Sequence, residues 1–403
     1  MKDRAVEPVS RAGVGLLLAA VLVIAVNMRA IITGVGPLLS QIGDEFGLAA
    51  AALGLLAAIP LMTWAVVSPF AHALTTRFGT FPVVLIALVL LAAGTVWRSL
   101  PGSAWGLWAG TFVIGVAIAI ANVLLPAIIK RGFPSRVPRT MALYSAVLGG
   151  CGALASGLVV PISHLQTATG SVGWRGALLA TGAFLIPAIV LWIIAARRVP
   201  DRSAKQSTGA GRHIWRDGSA WIIAAYMGAQ SACFYILVTW LAPMSASAGR
   251  SEQTAGLDVM AFQVIGIIGS LVVPPLLGHT TRRKLVAPAV AALGATGVIG
   301  MLTAPDLVLL WALTTGFAAG ASLGLSLTFM AERARDPGAA AALSGMAQSF
   351  GYLVAATGPL LFGWLHDATD AWTVPLLLLL ALMIAQGAFG LAIRHDRFVL
   401  ARS

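Results

Sequence analysis

Arg29 is the residue of this sequence whose chemistry and position stand out most. It lies in the first apolar segment, residues 12–39, and is the only Lys or Arg placed well inside such a segment. A guanidinium at that depth costs about 2.5–3.5 kcal/mol on insertion scales, and such groups usually face a bundle interior or a water-filled path. There it could donate charge-assisted hydrogen bonds to an oxygen or a delocalised negative group. The alternative is a structural anchor that bonds backbone carbonyls or snorkels outward.

Thr33 and Asn27 are the polar neighbours of Arg29 in the same segment. Thr33 follows four residues later and shares a helical face with Arg29. Asn27 is two residues away, about 200° around the helix, so the side chains of Asn27 and Arg29 do not both point straight at one ligand. We therefore expect Arg29 to face a cavity and Asn27 to face a neighbouring helix. All three residues belong to the candidate substrate-binding set.

Polar and aromatic side chains in later apolar segments complete this set. Asn122 either hydrogen-bonds the substrate or satisfies backbone carbonyls freed by Pro126. Aromatic rings in a membrane helix are more often packing or interfacial groups, and hydroxyls usually bond their own backbone or a neighbouring helix. Amides are costlier to bury, so Gln230, Gln263 and Gln348 carry more weight. The later candidates are Asn122, Tyr226, Gln230, Gln263, Ser322, Gln348 and Tyr352.

Four small residues form a ridge in the apolar segment 140–163. Ser145, Gly149, Gly152 and Ser156 fall on one helical face. A ridge of small side chains lets two helices approach closely. This pattern indicates tight helix packing rather than chemistry.

An enzymatic function has little support in the sequence, and a nucleic-acid-binding function has none. It contains no cluster with metal-ligand spacing, no nucleophile triad and no phosphate-binding loop. We therefore predict no catalytic activity, no metal site and no cofactor. The net charge of +12 is spread over many short loops instead of one face, which argues against a nucleic-acid partner.

A dedicated proton relay has only weak support in the sequence. Proton-driven carriers usually hold a carboxylate inside the membrane, and the N-terminal half has none within an apolar segment. Asp258 either pairs with Arg250 or contributes to an outer gate. His72 and His164 lie at segment ends and could titrate near neutral pH, but most such histidines are interfacial. An anion carried with a proton and a uniported solute both agree with the sequence.

The composition is that of an all-α integral membrane protein. Of the 403 residues, 59% are hydrophobic and 10% are charged, whereas a soluble domain carries about 25% charged residues. A transmembrane helix needs about 20 mainly apolar residues. The twelve predicted spans, numbered in chain order, are residues 12–39, 50–74, 81–99, 104–129, 140–163, 174–196, 218–243, 254–277, 285–303, 307–330, 339–363 and 372–393.

Basic residues predict the orientation of these spans. They gather at both termini and in the joints after even-numbered spans, such as Lys130 and Arg131 after span 4. The odd joints hold mainly acids, with Arg98, Arg175 and Arg250 near their borders. By the positive-inside rule both termini are cytoplasmic, and we expect a multi-pass protein of the bacterial inner membrane.

A polar stretch, residues 197–217, divides the chain into two halves. The tripeptide Thr75-Thr76-Arg77 after span 2 recurs as Thr280-Thr281-Arg282 after span 8, at the same place in each half. Such an echo with matched topology favours two parallel repeats. We therefore predict two pseudo-symmetric six-helix bundles, residues 1–196 and 218–403, with residues 197–217 as a cytoplasmic linker.

Twelve spans, a basic central loop and the loop Leu74-Thr75-Thr76-Arg77-Phe78-Gly79 resemble the major facilitator superfamily. The superfamily pattern G-x-x-x-D-R-x-G is matched at Arg77 and Gly79, while His72 replaces the first glycine and Thr76 replaces the aspartate. The resemblance implies a cytoplasmic gate at His72, Arg77 and Gly79 that lacks the usual aspartate.

Three further stretches resemble the cyanate and 2-nitroimidazole transporter family within that superfamily. They are residues 27–39, residues 122–126 leading to 130–134, and residues 343–349 with Gly351 and Tyr352. The resemblance implies a site near the midplane between the halves, lined mainly by spans 1, 4, 7 and 10 with help from spans 2, 5, 8 and 11. It also implies that the substrates are small polar or anionic molecules.

We therefore predict a secondary or facilitative transporter of a small anionic or polar solute, working by alternating access. We expect it to act as a monomer in the lipid bilayer. The alternative within transport is a multidrug or toxic-compound exporter, but the intramembrane acid usual in that class is missing. The alternative outside transport is a membrane sensor, which would need a sizeable soluble domain.

Overall fold

The computed structural model describes residues 11–102, 104–134, 136–168, 170–198, 214–279, 283–334, 337–393 and 398–399. Helices lie at all twelve predicted positions, so the all-α membrane architecture is confirmed. Residues 280–282 of the tripeptide echo and most of the linker lie outside the described residues. The division of the chain into bundles at residues 196 and 218 therefore stays a prediction.

Spans 1 and 6 are each built from more than one helix, whereas the sequence predicted a single helix for both. Span 1 comprises the helix Arg11–Thr33, a 3-10 turn Gly36–Leu38 and the helix Leu39–Phe46; span 6 comprises Gly173–Ala180 and Leu185–Arg198. The other spans are Ala50–Phe78, Thr80–Ser99, Ala104–Gly132, Val137–Ser163, Gly218–Ser247, Glu252–His279, Arg283–Thr303, Val308–Glu332, Pro337–Thr369 and Thr373–Ala392. A second 3-10 turn is Pro305–Leu307, and two short strands, Gln166–Thr167 and Gly170–Ser171, pair antiparallel.

Eleven segments of the described chain are long and apolar enough to cross a membrane. One of them is Gly15–Phe46, so span 1 continues past its predicted end at residue 39. Span 11 is outside the eleven although its helix has 33 residues. The predicted count of twelve is consistent with these helices, with eleven of them supported by length and composition.

Span 1 is interrupted directly after Thr33, where Gly34, Gly36 and Pro37 weaken a regular helix. Pro37 has no N–H group, so the carbonyl of Thr33 loses its helical partner four residues on. The hydroxyl of Ser156, on span 5, donates to this carbonyl at 3.1 Å. A side chain from another span thus satisfies the group that the interruption exposes.

A second carbonyl is freed in the same interruption. The N–H of Val35 donates to Ile32 at 3.3 Å, one residue short of the helical pattern, and leaves the carbonyl of Ile31 without its usual donor. Arg98 of span 3 fills this role, with Nη1 at 3.2 Å from the Ile31 oxygen. The bend that follows Arg29 is therefore held by spans 3 and 5 together.

The two halves meet through spans 1 and 7, 2 and 11, and 5 and 8. The joints after spans 1, 5, 7 and 11 lie on one face of the molecule, which we call the outer face. Near this face the carboxylate of Asp367 accepts the backbone N–H groups of Ala50 at 2.9 Å and Ala51 at 2.6 Å. Gly54 lies so close to the carbonyl of Pro359 that a Cβ would overlap it. The outer face is closed by direct contact of the two halves.

Toward the opposite, inner face, some positions on spans 5 and 11 are exposed. On span 11, Tyr352 contacts Trp64, but a Cβ added to Gly345, two turns further inward, would meet nothing within 4 Å. On span 5, Ser156 bonds span 8, whereas Ser145 on the same face is exposed. The contacts between halves named here lie between the outer face and about the middle of the spans.

Candidate functional site

Arg29 reaches across the interface between the two halves. Its Nη1 donates to the hydroxyl of Tyr235 at 3.1 Å, and its guanidinium carbon lies 5.2 Å from the ring centre of Phe234. Both rings belong to span 7, in the opposite half. A guanidinium near an aromatic face gains cation–π energy. The predicted orientation toward the space between halves therefore agrees with the geometry, and the outward-snorkelling alternative does not.

Further aromatic side chains surround this guanidinium. Trp64 of span 2 packs edge-on against Tyr235 and Tyr352, with ring centres 6.1 Å and 5.2 Å apart. The phenol groups of Tyr144 and Tyr352 also lie close enough to interact electrostatically with Arg29. The indole Nε1 of Trp64 is buried and has no hydrogen-bond partner among the described residues. One cation and one free N–H donor therefore lie within one aromatic group, made of Trp64, Tyr235, Phe234 and Tyr352.

Arg29 has no carboxylate partner in the described chain. The four ion pairs found there join Arg175 to Glu45, Arg250 to Asp258, His164 to Glu252 and Arg333 to Glu332. Asp258, the one buried carboxylate among the described residues, is engaged by Arg250 at 2.7 and 2.8 Å and by Ser245. The charge of Arg29 is therefore left for water or for an anionic group from outside the protein.

Thr33 and Asn27 use their hydrogen-bonding groups within the protein. The Thr33 hydroxyl donates to the carbonyl of Gly152 at 2.8 Å and lies 3.0 Å from that of Arg29. The amide of Asn27 donates to Val23 one turn earlier at 2.8 Å, and its oxygen is buried without a partner among the described residues. In this conformation the Thr33 hydroxyl donates its hydrogen to backbone carbonyl groups. It therefore has no hydrogen left to donate to a ligand.

Ser156 and Gln263 join the two halves beside Arg29. The amide of Gln263 donates to the Ser156 hydroxyl at 2.7 Å, and that hydroxyl in turn donates to Thr33. On the same ridge, a Cβ at Gly152 would lie 2.5 Å from Cγ of Arg29. The interpretation of this ridge as packing alone was incomplete, because Ser156 also satisfies the interruption in span 1.

The span 11 and span 4 candidates differ in their relation to this aromatic group. Tyr352 lies in it, whereas the amide of Gln348 donates to Ser344 of its own helix at 2.8 Å. Asn122 is half-buried on span 4 and makes no hydrogen bond among the described residues. Their roles in binding stay predictions.

Three candidates lie in a separate cluster inside the C-terminal half. Ser322 accepts a hydrogen bond from Gln386 at 2.6 Å, and Gln230 lines the same small cavity while donating to Ser231 at 2.7 Å. Tyr226 is fully buried near these residues. No contact among the described residues joins Tyr226, Gln230 or Ser322 to Arg29.

The predicted gate residues lie around the joint between spans 2 and 3. Gly79 ends span 2 with φ of +85°, a conformation that glycine adopts without strain. Arg77 is exposed and its guanidinium carbon lies 5.3 Å from the Phe78 ring. His72 is within span 2. Their function as a gate stays a prediction.

Several residues at the site were absent from the predicted set. Trp64, Tyr144 and Phe234 were missed because an aromatic ring in a span usually indicates packing. Arg98 was placed at a span border, yet its side chain is 1% exposed and reaches span 1. The signal for Tyr235 was its position near Gln230 and Phe234 on span 7. This position alone does not show whether the ring lines a binding site or packs between helices.

Comparison with known proteins gives three findings. The sequence matches the Major Facilitator Superfamily over residues 16–359. It is 40% identical over 385 residues to the 2-nitroimidazole transporter of Escherichia coli K12, covering 95% of this chain and 96% of that protein, and 29% identical over 379 residues to the cyanate transport protein of the same organism, covering 91% and 95%. A bacterial homologue of the human lysosomal transporter Spinster shares the fold, with a TM-score of 0.81, 16% identity and coverage of 95% and 97%.

Proposed function

Since the chain belongs to the Major Facilitator Superfamily and is a membrane transporter of small solutes, we propose that its substrates are flat, monovalent anions or polar solutes with a similar oxygen pair. Arg29 binds the charged end, and the rings around it contact the flat part. The observation that carries this proposal is the guanidinium of Arg29 between the halves, without a carboxylate partner in the described chain.

The valence of the substrate follows from the charge of the site. A buried charge is tolerated when it is paired and hydrogen-bonded. One guanidinium and one negative charge give a neutral complex, and the planar fork of donors suits a carboxylate or a similar group. A nitro group presents two oxygens with partial negative charge in the same geometry. Of the substrates named for the two relatives, cyanate fits by its single negative charge, and 2-nitroimidazole fits by the oxygen pair of its nitro group.

The flat shape of the substrate follows from the lining. Trp64, Phe234, Tyr235 and Tyr352 present ring faces and edges, which favour stacked or edge-on contacts with another planar group. The free indole N–H of Trp64 supplies a further donor to an oxygen of the substrate. A bulky or strongly hydrated anion such as sulfate would lose hydration without regaining equivalent partners.

Transport by alternating access requires that the closed outer face open in turn. We propose that two six-helix bundles rock about Arg29 in the bacterial inner membrane, with both termini cytoplasmic and the protein acting as a monomer. Either a proton accompanies the anion or the solute moves alone. The contacts of Asp367 with span 2 and of Gln263 with Ser156 belong to the outer-closed state.

The test of this function is uptake and binding by the Arg29→Gln variant. Purified protein in proteoliposomes is assayed with cyanate and benzoate, and binding is measured by calorimetry. We expect at least a tenfold loss of affinity, because a hydrogen bond to a charged group contributes about 1.5–3 kcal/mol. Lys284→Gln, which removes an exposed cation at the inner end of span 9, is the control and should behave as wild type. Unchanged kinetics in Arg29→Gln would remove Arg29 from the mechanism.

A further inference from the structure

Arg98 is a buried cation in the N-terminal half, which also holds the half-buried Arg29. Its side chain is 1% exposed although it stands at the outer end of span 3. Nη1 donates to the carbonyl of Ile31 at 3.2 Å, while Nε and Nη2 have no hydrogen-bond partner among the described residues. The four ion pairs of the described chain do not include Arg98.

The hydrogen bond to Ile31 does not explain why a guanidinium is present. The interruption in span 1 needs one donor at this carbonyl, and a neutral amide of suitable length would supply it. A buried, unpaired charge is much more costly than a buried amide. The positive charge is therefore the feature of Arg98 that the local structure does not require.

The position of Arg98 relative to Arg29 gives this charge a role. Ile31 lies two residues after Arg29, about 3 Å further along the axis of span 1 and about 200° around it. Arg98 therefore approaches span 1 from the side opposite to the guanidinium of Arg29, nearer the outer face. The buried polar side chains described for this half include no carboxylate, so no acid there offsets the two cations.

We propose that Arg98 is a specificity-determining residue, which raises the positive potential at Arg29 and selects anions over neutral solutes of the same shape. It acts through its field and does not touch the substrate. This inference rests on the proposed function. Across a helix diameter, roughly 10–15 Å, and at an effective dielectric constant of about 20, one unit charge changes the affinity for an anion by about tenfold. Salt screens such a buried charge less than a surface one.

The experiment separates the charge of Arg98 from its hydrogen bond. Arg98→Gln removes the charge and retains a neutral amide donor on a shorter side chain, whereas Arg98→Lys keeps the charge. Binding of benzoate and of its neutral isostere benzamide is measured by calorimetry on each purified variant. We expect Arg98→Gln to weaken benzoate binding about tenfold and benzamide binding less than twofold. Arg98→Lys should keep the wild-type ratio of the two affinities within about threefold.

A purely structural role of Arg98 would give a different result, because a displaced span 1 would weaken the binding of benzoate and of benzamide together. Equal changes for benzoate and benzamide, or no change for either, would overturn the inference. If Arg98→Gln does not fold, the Lys variant decides alone, because a lost preference for benzoate despite a retained charge contradicts the proposal. If Arg29→Gln loses the preference and Arg98→Gln keeps it, only the role of Arg98 fails. If the wild-type protein shows no preference for benzoate, the proposed function fails as well.

Discussion

At the scale of single residues, the site is defined by what Arg29 lacks. Its hydrogen bond to Tyr235 and its contact with Phe234 are both to uncharged groups. Buried arginines are normally paired with an acid, and such pairs have a low net charge. Here the aromatic rings position the guanidinium and leave its charge available. The sequence was sufficient to predict that Arg29 faces the space between the halves, since depth in an apolar segment can be read directly from residue type; its role in binding stays a prediction.

Gly152 is the residue that permits this placement of Arg29. A Cβ at Gly152 would lie 2.5 Å from Cγ of Arg29 and 3.3 Å from both Oε1 of Gln263 and Oγ1 of Thr33. We predict that Gly152→Ala displaces the guanidinium and weakens benzoate binding by about tenfold or more, as loss of a charge-assisted bond would. Calorimetry on the purified variant measures the effect.

Gly150→Ala provides the matched control for this prediction. Gly150 lies on the same helix, and a Cβ there meets nothing within 4 Å. Alanine is the better helix former, so the change should leave binding intact and stability equal or slightly higher. Wild-type affinity in Gly152→Ala would mean that the close approach to Arg29 does not set its position.

At the scale of elements, the interruption in span 1 connects sequence to site. The pattern Gly34-Val35-Gly36-Pro37 predicts that a regular helix is disturbed, since Pro37 removes a donor and glycine is flexible. The pattern does not identify the donors that replace the missing ones. Arg98 and Ser156 come from spans 3 and 5, far away in the sequence, so only the packing of helices reveals them.

Ser156→Ala tests the support of this interruption. The variant leaves the carbonyl of Thr33 buried without a donor, which costs about 1–3 kcal/mol. It also removes the partner of the Gln263 amide. We therefore predict a lower thermal unfolding temperature and weaker benzoate binding, measured by a thermal-shift assay and by calorimetry. Ser156→Thr, which keeps the hydroxyl, should restore part of the stability.

Ser145→Ala is the control for the ridge as a packing surface. Ser145 lies on the same face of span 5 but is exposed and makes no hydrogen bond among the described residues. If the ridge acts only by being small, both alanine variants should be equally harmless. Equal thermal stability of Ser145→Ala and Ser156→Ala would contradict a hydrogen-bonding role for Ser156.

At the scale of the whole molecule, helix positions were predictable and the closure of the outer face was not. Length and hydropathy locate a span because the bilayer sets its minimum length. Which faces of spans 2 and 11 touch depends on the relative tilt of two halves, and hydropathy contains no such information. The same limit explains why Tyr226, Gln230 and Ser322 were grouped with Arg29, although they lie in a cluster within the C-terminal half.

Asp367 caps span 2 from the opposite half. The residue before that helix, Ala49, has no side-chain cap, and the first N–H groups of the helix bond to the carboxylate of Asp367. A carboxylate at a helix N-terminus is favoured by hydrogen bonding and by the helix dipole. Because the cap joins the two halves, it stabilises only the state in which the outer face is closed.

We therefore predict that Asp367→Ala shifts the population toward an open outer face. Loss of an N-cap costs about 0.5–2 kcal/mol, so the ratio of open to closed molecules should rise roughly 2- to 30-fold. Spin labels at the outer ends of spans 2 and 11, in a variant without Cys151 and Cys233, report the two populations by pulsed electron resonance.

Asp306→Ala removes another exposed acid near the outer face and should leave the distances unchanged. Asp367→Asn should fall between wild type and Asp367→Ala, since its side chain keeps one acceptor but no charge. Identical distance distributions for Asp367→Ala and wild type would show that the contacts around Gly54 hold the outer face closed without the cap.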